Sequence, residues 1–241
     1  MCYNISIITK MDDLEKRFGA RFTQPDLYKL FYHVSGFSAP YLPVIPNEDI
    51  HAIELFQWGL VPFWTKDERA ANTIWSRTLN ARAETVFEKP SFRHSIMKKR
   101  CLVLVDGFYE WHEENNKKYP YYIRLRNHDA FALAGIWDNW FSGVTGEIRN
   151  TFSIITTRAN SLMERIHNTR KRMPVILRQE DEQRWLAGET DREQIASLLS
   201  PYDDNEMDAY TVSPLISRRG QNTNTPEVMQ RFRYEELKDW T

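Results

Sequence analysis

The stretch Cys101-Leu102-Val103-Leu104-Val105-Asp106-Gly107-Phe108-Tyr109-Glu110-Trp111 carries the clearest structural pattern in this 241-residue chain. It begins with five consecutive apolar residues, which is typical of a strand that is buried on both faces. Cys101 in such a run is a packing residue. The stretch therefore predicts a buried strand in the middle of the chain.

The same stretch ends with Glu110 between two aromatic residues, Tyr109 and Trp111. Rings beside a carboxylate disfavour its ionised form, and this is how a protein prepares a glutamate for acid-base catalysis. A glutamate at a strand end is also commonly just solvated. Glu110 is therefore a candidate catalytic residue with a plain structural alternative.

Most segments on either side of this stretch are strand-like. Alternating or apolar patterns predict strands at 3–7, 54–64, 119–125, 130–137, 149–157, 173–177 and 210–213. The segment Asn127-His128-Asp129 predicts a hairpin turn between two of these strands. The proline-rich segment 38–46 predicts a stiff, irregular loop.

Helices are predicted at the periphery. Segment 12–22 has apolar residues four apart, and 89–99 forms a loop or a short helix. Ser161 with Glu164, and Thr190 with Glu193, form capping boxes that open a short turn and an acidic helix; another acidic helix is predicted at 180–186. The prediction is a single α+β domain over residues 1–241, with a mainly antiparallel, curved or barrel-like sheet and an acidic helical layer at about 178–209.

Composition restricts the class of protein. Hydrophobic residues make up 41% and charged residues 27% of the chain, as in soluble globular proteins. The sequence has no membrane-length apolar run and no signal-peptide pattern, and its two cysteines form no disulfide framework, so we expect a cytoplasmic, intracellular protein without a membrane partner. Metal-ligand spacings, a Walker loop and a dinucleotide fingerprint are absent, so the sequence predicts neither a metal nor an organic cofactor.

The net charge of -1 conceals an uneven distribution. Residues 178–209 contain ten acidic residues and three arginines, which leaves a net charge of +6 on the remainder of the chain. Basic clusters lie at 98–100, 170–172 and 218–219. Each cluster alone is weak evidence for phosphate contacts, because charge runs commonly form solvated faces.

The first two residues, Met1-Cys2, permit unusual chemistry. If Met1 is removed, Cys2 has a free α-amine and a thiol, which is a 1,2-aminothiol. The amine condenses with an aldehyde to an imine, and the thiolate then closes on the same carbon to form a thiazolidine. A cysteine after the initiator methionine is also often incidental, so the rest of the chain has to decide between these readings.

Three polar residues follow at alternate positions, Asn80, Arg82 and Glu84. In an extended segment all three point to one face, which indicates either a solvated strand face or a site. Trp58, Phe63 and Trp64 belong to the core or form a stacking surface for unpaired bases. His167, among nearby basic residues, titrates in the range needed for proton transfer.

In this order, the motifs resemble the SRAP family, abasic-site processing proteins that crosslink to abasic sites in single-stranded DNA. The matching segments span nearly the whole chain: Met1-Cys2, Ser38-Ala39-Pro40, residues 58–64, 80–85, 100–103, 107–111, 131–137, 155–160, His167 and 172–177. The resemblance implies a single α+β domain whose sheets close into a pseudobarrel, in agreement with the reading from the residues.

The resemblance also implies roles for individual residues. Met1 is removed, Cys2 forms a thiazolidine with the ring-opened sugar, Glu110 transfers protons, and His167 protonates the sugar oxygen. Asn80 and Arg82 hold the lesion and its phosphate. Further DNA contacts are implied at Trp58, Phe63 and Trp64, where the strand leaves a duplex, and at Pro40, Thr157 and Arg172. No cofactor is implied, the partner is abasic single-stranded DNA, including junctions with duplex, and the protein is nucleoid-associated when DNA is damaged.

Three positions depart from the family pattern. The family begins Met-Cys-Gly-Arg, whereas Tyr3 and Asn4 follow Cys2 here and remove an arginine expected to contact the DNA backbone. Phe37 replaces an asparagine before the loop proline. The residues Thr169-Arg170-Lys171 form an insertion before Arg172.

Two other classes of function remain open from the sequence. An N-terminal nucleophile hydrolase, such as a glutamine amidotransferase, also exposes Cys2 and uses its own amine as the base. Such enzymes have glycine-rich substrate loops, and this chain has only nine glycines. A non-catalytic single-strand binding module would use the tryptophans and the basic clusters and leave Cys2 idle.

Overall fold

A computed structural model describes residues 2–188, 190–218 and 220–237. The strands are β1 Asn4–Ile7, β2 Arg21–Phe22, β3 Phe31–Ser35, β4 Tyr41–Pro46, β5 Ala52–Trp58, β6 Asn80–Arg82, β7 Arg100–Val105, β8 Gly107–Glu114, β9 Lys117–Leu125, β10 Phe131–Phe141, β11 Ile148–Arg158, β12 Arg172–Pro174 and β13 Met207–Thr211. The helices are α1 Met11–Phe18, α2 Glu68–Ile74, α3 Arg93–Lys98, α4 Ser161–Ile166, α5 Gln179–Leu186 and α6 Arg192–Ser197. Short 3₁₀ turns complete the described elements.

Five strands form a closed barrel in the order β5, β4, β7, β10 and β11. Four of its pairings are antiparallel, and a short parallel pairing of β5 with β11, Gln57 to Thr151 and Trp58 to Phe152, closes the ring. A second antiparallel sheet has the order β13, β9, β8, β1 and β3. The predicted α+β fold with curved, mainly antiparallel sheets is confirmed.

Strand β7 is central because every one of its residues is buried and it pairs with β4 on one side and β10 on the other. The chain then turns at Asp106 and enters the second sheet as β8. The Asp106 carboxylate holds this crossing in place, since it accepts hydrogen bonds from the backbone N–H groups of Ile8 at 2.5 Å and Thr9 at 2.9 Å. One continuous stretch, 100–114, thus belongs to both sheets.

The proline-rich segment 38–46 corrects the prediction of an irregular loop, because most of it is strand β4. Proline lacks an N–H and is tolerated where a ladder bond is not needed. Pro43 pairs only with β5 and Pro46 pairs only with β7, so each proline has one side on which no neighbouring strand pairs with it. The sequence pattern could not reveal this, because it depends on which neighbour pairs at each residue.

The predicted hairpin at 127–129 is also wrong. Strands β9 and β10 on either side of it belong to different sheets, so the turn carries the chain between the sheets. The true hairpin joins β8 to β9 through Asn115 and Asn116, which have φ of 50° and 60°. Two consecutive left-handed residues are what a tight hairpin turn requires, and asparagine tolerates that conformation.

Several helix ends differ from the predicted ones. Helix α1 stops at Gly19, whose φ of 64° gives a left-handed cap, and the chain then forms β2. Asn160, one residue earlier than predicted, caps α4 by accepting a hydrogen bond from Met163 N–H. The capping box of α6 consists of Asp191 and Gln194, not of the predicted pair one residue before each. Side-chain capping tolerates several residue types, which explains the errors of one residue.

Two of the three cations in the basic cluster 98–100 bind groups inside the protein. Arg100 is fully buried and donates hydrogen bonds to the carbonyl groups of Ile96, Met97, Trp185 and Ala187, which end α3 and α5. Lys99 lies 3.3 Å from the buried carboxylate of Asp138. Both cations therefore serve the interior and the helix ends. No helix in the described ranges is long and apolar enough to span a membrane.

Candidate active site

The start of the chain is fixed between two strands of the second sheet. Strand β1 pairs with β3 on one side and with β8 on the other, where Asn4 faces Tyr109. This register brings the residue after Tyr109, Glu110, next to the beginning of the chain. Cys2 precedes β1 and is fully buried. Met1 lies outside the described residues, so its predicted removal stays a prediction.

Cys2 is held by its backbone. The Asn80 Nδ2 group donates a 2.9 Å hydrogen bond to the carbonyl oxygen of Cys2. The Cys2 Sγ atom lies 4.0 Å from the carbonyl oxygen of Asn4. Burial, and next the negative charge of Glu110, raise the pKa of the Cys2 thiol well above its usual range. The thiol is therefore protonated at neutral pH and needs a base to react.

Asn80 is positioned by the barrel. It begins β6, which pairs in parallel with β11, and the preceding carbonyl group of Leu79 accepts a 2.8 Å hydrogen bond from Trp58 Nε1. The Asn80 Oδ1 atom is buried and has no hydrogen-bond partner in the ranges that the structure describes. A buried acceptor without a partner is costly, and a substrate hydroxyl or N–H group can satisfy it.

Glu110 and His167 form a close acid-base pair. His167 Nε2 lies 3.8 Å from Glu110 Oε2, and both side chains are almost completely buried. His167 Nδ1 lies 3.0 Å from the carbonyl oxygen of Arg172. A carbonyl only accepts, so Nδ1 carries the proton and Nε2 faces the carboxylate. Burial lowers the pKa of His167 despite the nearby carboxylate.

A cleft of about 440 Å³ opens over this pair. Both members of the pair line it, together with aromatic, polar and charged residues of β1, β8, β9 and the segment after α4. The lining residues are Tyr3, Asn4, Glu110, Trp111, Glu113, Lys118, His167, Thr169 and Arg170. A small polar ligand that enters the cleft would therefore meet the acid-base pair at the start of the chain.

The predicted aromatic contacts divide into buried and exposed rings. Phe63 and Trp64 are 53% and 49% exposed, and the Phe63 ring contacts His94 at 5.1 Å between centroids. Trp58 is fully buried and stacks on Phe152 across the seam of the barrel. Trp58 thus corrects the expectation of an exposed ring: it offers no face to a base, and it positions the strand of Asn80 instead.

The predicted polar DNA contacts also differ in accessibility. Arg82 is exposed at the end of β6, whereas Thr157 is buried in β11 and Pro40 is half-buried before β4. The Arg172 guanidinium donates hydrogen bonds to Glu84 Oε1 at 2.5 Å and to the carbonyl oxygen of Thr156 at 2.6 Å. Arg172 would therefore have to exchange a partner before it could bind a phosphate.

The sequence reasoning overlooked several residues of the cleft. Lys118 and Glu113 face each other on the β8–β9 hairpin, with 3.9 Å between Nζ and Oε2. Their opposite charges on either side of the turn are visible in the sequence and could have indicated this pair. His33 Nε2 lies 2.9 Å from Asn4 Oδ1, and its Nδ1 lies 2.7 Å from Thr223 Oγ1. No sequence signal connects these three segments.

Within the described ranges, no group of three or more His, Cys, Asp or Glu side chains is placed to hold a metal ion.

The barrel and the second sheet together place the buried Cys2 beside the Glu110–His167 acid-base pair. The chain belongs to the SRAP family: the family model described as SOS response associated peptidase (SRAP) matches residues 1–219. The resemblance found in the sequence is thereby confirmed.

Relatives and a solved structure with similar sequences support this membership. Abasic site processing protein YoqW of Bacillus subtilis (strain 168) is 39% identical over 233 residues, which cover 95% of this chain and 99% of that protein. Abasic site processing protein HMCES of Xenopus tropicalis is 32% identical and covers 72% of this chain and 55% of that protein. A crystal structure of a protein from Bacteroides thetaiotaomicron has a TM-score of 0.90 and 42% identity, covering 96% of this chain and 100% of that one.

Proposed function

We propose that this protein processes abasic sites in single-stranded DNA by forming a thiazolidine between Cys2 and the ring-opened sugar. The observation that carries the proposal is the position of Cys2, which Asn80 holds close to Glu110. Glu110 and His167 form a pair that lines a polar cleft. The relatives are abasic site processing proteins, and they supply the substrate.

The reaction begins with hydrolysis of the Met1-Cys2 peptide bond, which frees the α-amine. The amine adds to the aldehyde carbon to give a carbinolamine, and loss of water gives an imine. The thiol then adds to the imine carbon: its sulfur forms the new C–S bond, and its proton passes to the nitrogen. The sum is one aldehyde and one aminothiol converted to one thiazolidine and one water.

Glu110 is the base in this scheme. The Cys2 thiol has a raised pKa, so it does not ionise by itself; Glu110 accepts its proton as the C–S bond forms and then passes that proton to the nitrogen. Asn80 fixes the Cys2 carbonyl, and its free Oδ1 can accept a hydrogen bond from the carbinolamine hydroxyl. The nitrogen and the oxygen of the Asn80 amide thus together orient the reacting carbon relative to the sulfur.

His167 serves the sugar. Opening the ring needs a proton on the ring oxygen, and the Nε2 atom of His167 is the nitrogen that faces Glu110 and the cleft. Burial lowers the pKa of His167, so its imidazole is mostly neutral and must take up a proton before donating it to the sugar. The neighbouring Glu110 carboxylate stabilises the protonated imidazole during that transfer.

The DNA strand lies across three exposed residues. Arg82 binds a phosphate, and Phe63 and Trp64 stack on bases where a single strand leaves a duplex. Pro40, Thr157 and Arg172 form the border of the same path after small rearrangements. In this proposal the protein acts inside the cell, at the nucleoid when DNA is damaged, and needs no metal or organic cofactor.

The test is intact-mass measurement after incubation with a single-stranded oligonucleotide that contains one abasic site. We expect mature protein without Met1 to gain the oligonucleotide mass in an adduct that survives denaturant and heat. Cys2→Ala should abolish the adduct, and Cys2→Ser should leave at most an imine that borohydride traps. Cys101→Ala, at the other, fully buried cysteine, is the matched control and should retain the adduct.

An undiminished stable adduct with Cys2→Ala would refute the proposed chemistry. DNA binding without any adduct would favour a non-catalytic binding module. Glutaminase activity that depends on Cys2 would instead favour an N-terminal nucleophile hydrolase.

A further inference from the structure

The insertion Thr169-Arg170-Lys171 places a cation in the cleft. Arg170 lines the cleft together with Tyr3, Asn4 and the Glu110–His167 pair. Its side chain is exposed and has no ion pair or hydrogen bond to the rest of the described chain. Lys118, the other cation of the cleft, lies 3.9 Å from Glu113, so a carboxylate already neutralises part of its charge. Arg170 is therefore the cleft cation with a vacant guanidinium.

The backbone that carries Arg170 is fixed at both ends. Asn168 exchanges two hydrogen bonds with the backbone of Glu113 on β8, at 3.1 and 2.8 Å. The N–H of Lys171 donates to the carbonyl of His167 at 2.8 Å, and the carbonyl of Lys171 accepts from Ala159 N–H at 3.0 Å. Lys171 has a φ of 49°, which completes a tight turn. A cation on a pinned turn costs less entropy to place than one on a mobile loop.

The charge of Arg170 affects the pKa values of Tyr3 and His167, which also line the cleft. Burial raises the pKa of Tyr3, and Arg170 acts against that shift. Burial lowers the pKa of His167, and Arg170 adds to that shift. Both effects are consistent with a guanidinium close to the start of the chain and to the acid-base pair.

We propose that Arg170, on the insertion, binds the phosphodiester next to the abasic nucleotide. The inference rests on the proposed function for the identity of the substrate. A guanidinium is suited to the role, because its planar N–H groups bind two phosphate oxygens at once. Glu110 and Glu113 in the same cleft repel a phosphate. The phosphate therefore binds on the side of Arg170, and the uncharged sugar enters the cleft.

The test compares Arg170→Gln with Lys171→Gln, which removes the same charge one residue further along but outside the cleft lining. The first readout is binding of intact single-stranded DNA as a function of salt. Arg170→Gln should reduce the slope of log K against log salt by about 0.7, the value for one phosphate on a single strand. Lys171→Gln should leave the slope unchanged, and Arg170→Lys should restore it. An unchanged slope with Arg170→Gln overturns the proposal.

The second readout locates the phosphate. Abasic oligonucleotides carry an uncharged methylphosphonate either 5′ or 3′ of the lesion, and the rate of adduct formation is measured at subsaturating DNA. Arg170→Gln should slow the reaction about 10-fold on unmodified DNA, the lower end for a charge-assisted hydrogen bond. On one of the two modified substrates the wild type should be equally slow and the substitution should cost nothing more. If Arg170→Gln slows the reaction on both modified substrates as much as on unmodified DNA, the proposal is overturned.

The two readouts separate this inference from the proposed function. If the wild type binds DNA with a slope that depends on Arg170 but forms no adduct, the thiazolidine chemistry is wrong and the phosphate contact stands. If the wild type forms the adduct and Arg170→Gln equals it in both readouts, the chemistry stands and the phosphate contact is wrong.

Discussion

The side-chain amide of Asn80 donates a 2.9 Å hydrogen bond to the carbonyl oxygen of Cys2, although the two residues are 78 positions apart. The bond connects β6, at the edge of the barrel, to the residue before β1 in the second sheet. It holds the backbone of the cysteine through its carbonyl group. The orientation of Cys2 thus depends on the packing of one sheet against the other.

Asn80→Ala should slow adduct formation at saturating DNA about 10- to 100-fold, because the Cys2 carbonyl loses its donor and the aminothiol loses its orientation. Asn80→Asp should be slower still, since a carboxylate oxygen then faces the carbonyl. Asn47→Ala is the matched control, because Asn47 also holds backbone groups but far along the barrel, at Lys98 and Arg100. It should lower the melting temperature and leave the adduct rate intact. An Asn80→Ala rate equal to that of the wild type would contradict the positioning role.

Substitutions of Glu110 and of His167 should affect two substrates differently. His167→Ala should slow reaction at a natural abasic site about 10²- to 10⁴-fold, the usual contribution of a general acid. It should have little effect on an oligonucleotide with a preformed, ring-opened aldehyde. Glu110→Gln should slow both, because the thiol still needs a base. Single-turnover crosslinking measures each rate, and equal slowing of both substrates by His167→Ala would disprove its role in ring opening.

The same experiment has a predicted pH dependence. Because burial lowers the pKa of His167, its protonated form is scarce at pH 7 and becomes more abundant as the pH falls. The rate at the natural abasic site should therefore rise relative to the rate with the preformed aldehyde between pH 8 and pH 5. This ratio should be independent of pH in His167→Ala. A ratio that falls with decreasing pH in the wild type would contradict the assignment.

Trp64 should contribute to DNA binding and Trp58 should not. Trp64→Ala should weaken binding of single-stranded DNA by about 1–3 kcal/mol, the usual value for one base stacked on an aromatic ring. Phe141→Ala removes a ring that is 61% exposed and should leave binding unchanged. Trp58→Phe should chiefly lower stability, because it removes the hydrogen bond to Leu79. Fluorescence anisotropy and thermal melting distinguish these effects, and a larger binding loss with Trp58→Phe than with Trp64→Ala would reverse the assignment.

Arg82 should contribute a phosphate contact, while the acidic helix α6 should not face the DNA. Arg82→Ala should flatten the salt dependence of binding by about 0.7 in slope. Glu193→Lys, which reverses a charge on α6, should not lower the affinity. Binding titrations between 50 and 300 mM salt test both changes. A salt-independent affinity of the wild type would argue against DNA as the partner.

His33 should make the stability of the fold depend on pH. Burial lowers the pKa of His33 from 6.5 to about 4 in the folded protein, so the folded state excludes a proton that the unfolded chain binds below pH 6.5. The stabilisation is complete above pH 6.5 and is lost as the pH falls towards 4. The loss is at most about 3 kcal/mol.

Urea unfolding between pH 7 and pH 4.5 measures this effect. His33→Asn should flatten the decline of the unfolding free energy over that range. His51→Asn, at an exposed histidine, should follow the wild type. Parallel curves for His33→Asn and the wild type would show that His33 is not responsible.

The sequence by itself determined the elements whose signal is local. The apolar run 101–105 specified a buried strand, because five consecutive apolar residues have no solvated face to offer. The order of short motifs along the chain predicted the family, and the family predicted the curved α+β fold. Cys2, Glu110 and His167 were found as single residues with the right chemistry, each beside an ordinary structural explanation.

Only the tertiary structure decided which of these residues meet. The pairing of β5 with β11 closes the barrel, buries Trp58 and thereby sets the strand of Asn80 against Cys2. The same packing buries Arg100, which the sequence presented as part of a basic cluster, and leaves Arg170 open in the cleft. Residue type and spacing describe what a segment prefers over about ten positions. Burial and pairing arise from contacts between segments that are distant in the chain, and these contacts determine whether a ring stacks on a base or fills a core, and whether a cation binds a phosphate or caps a helix.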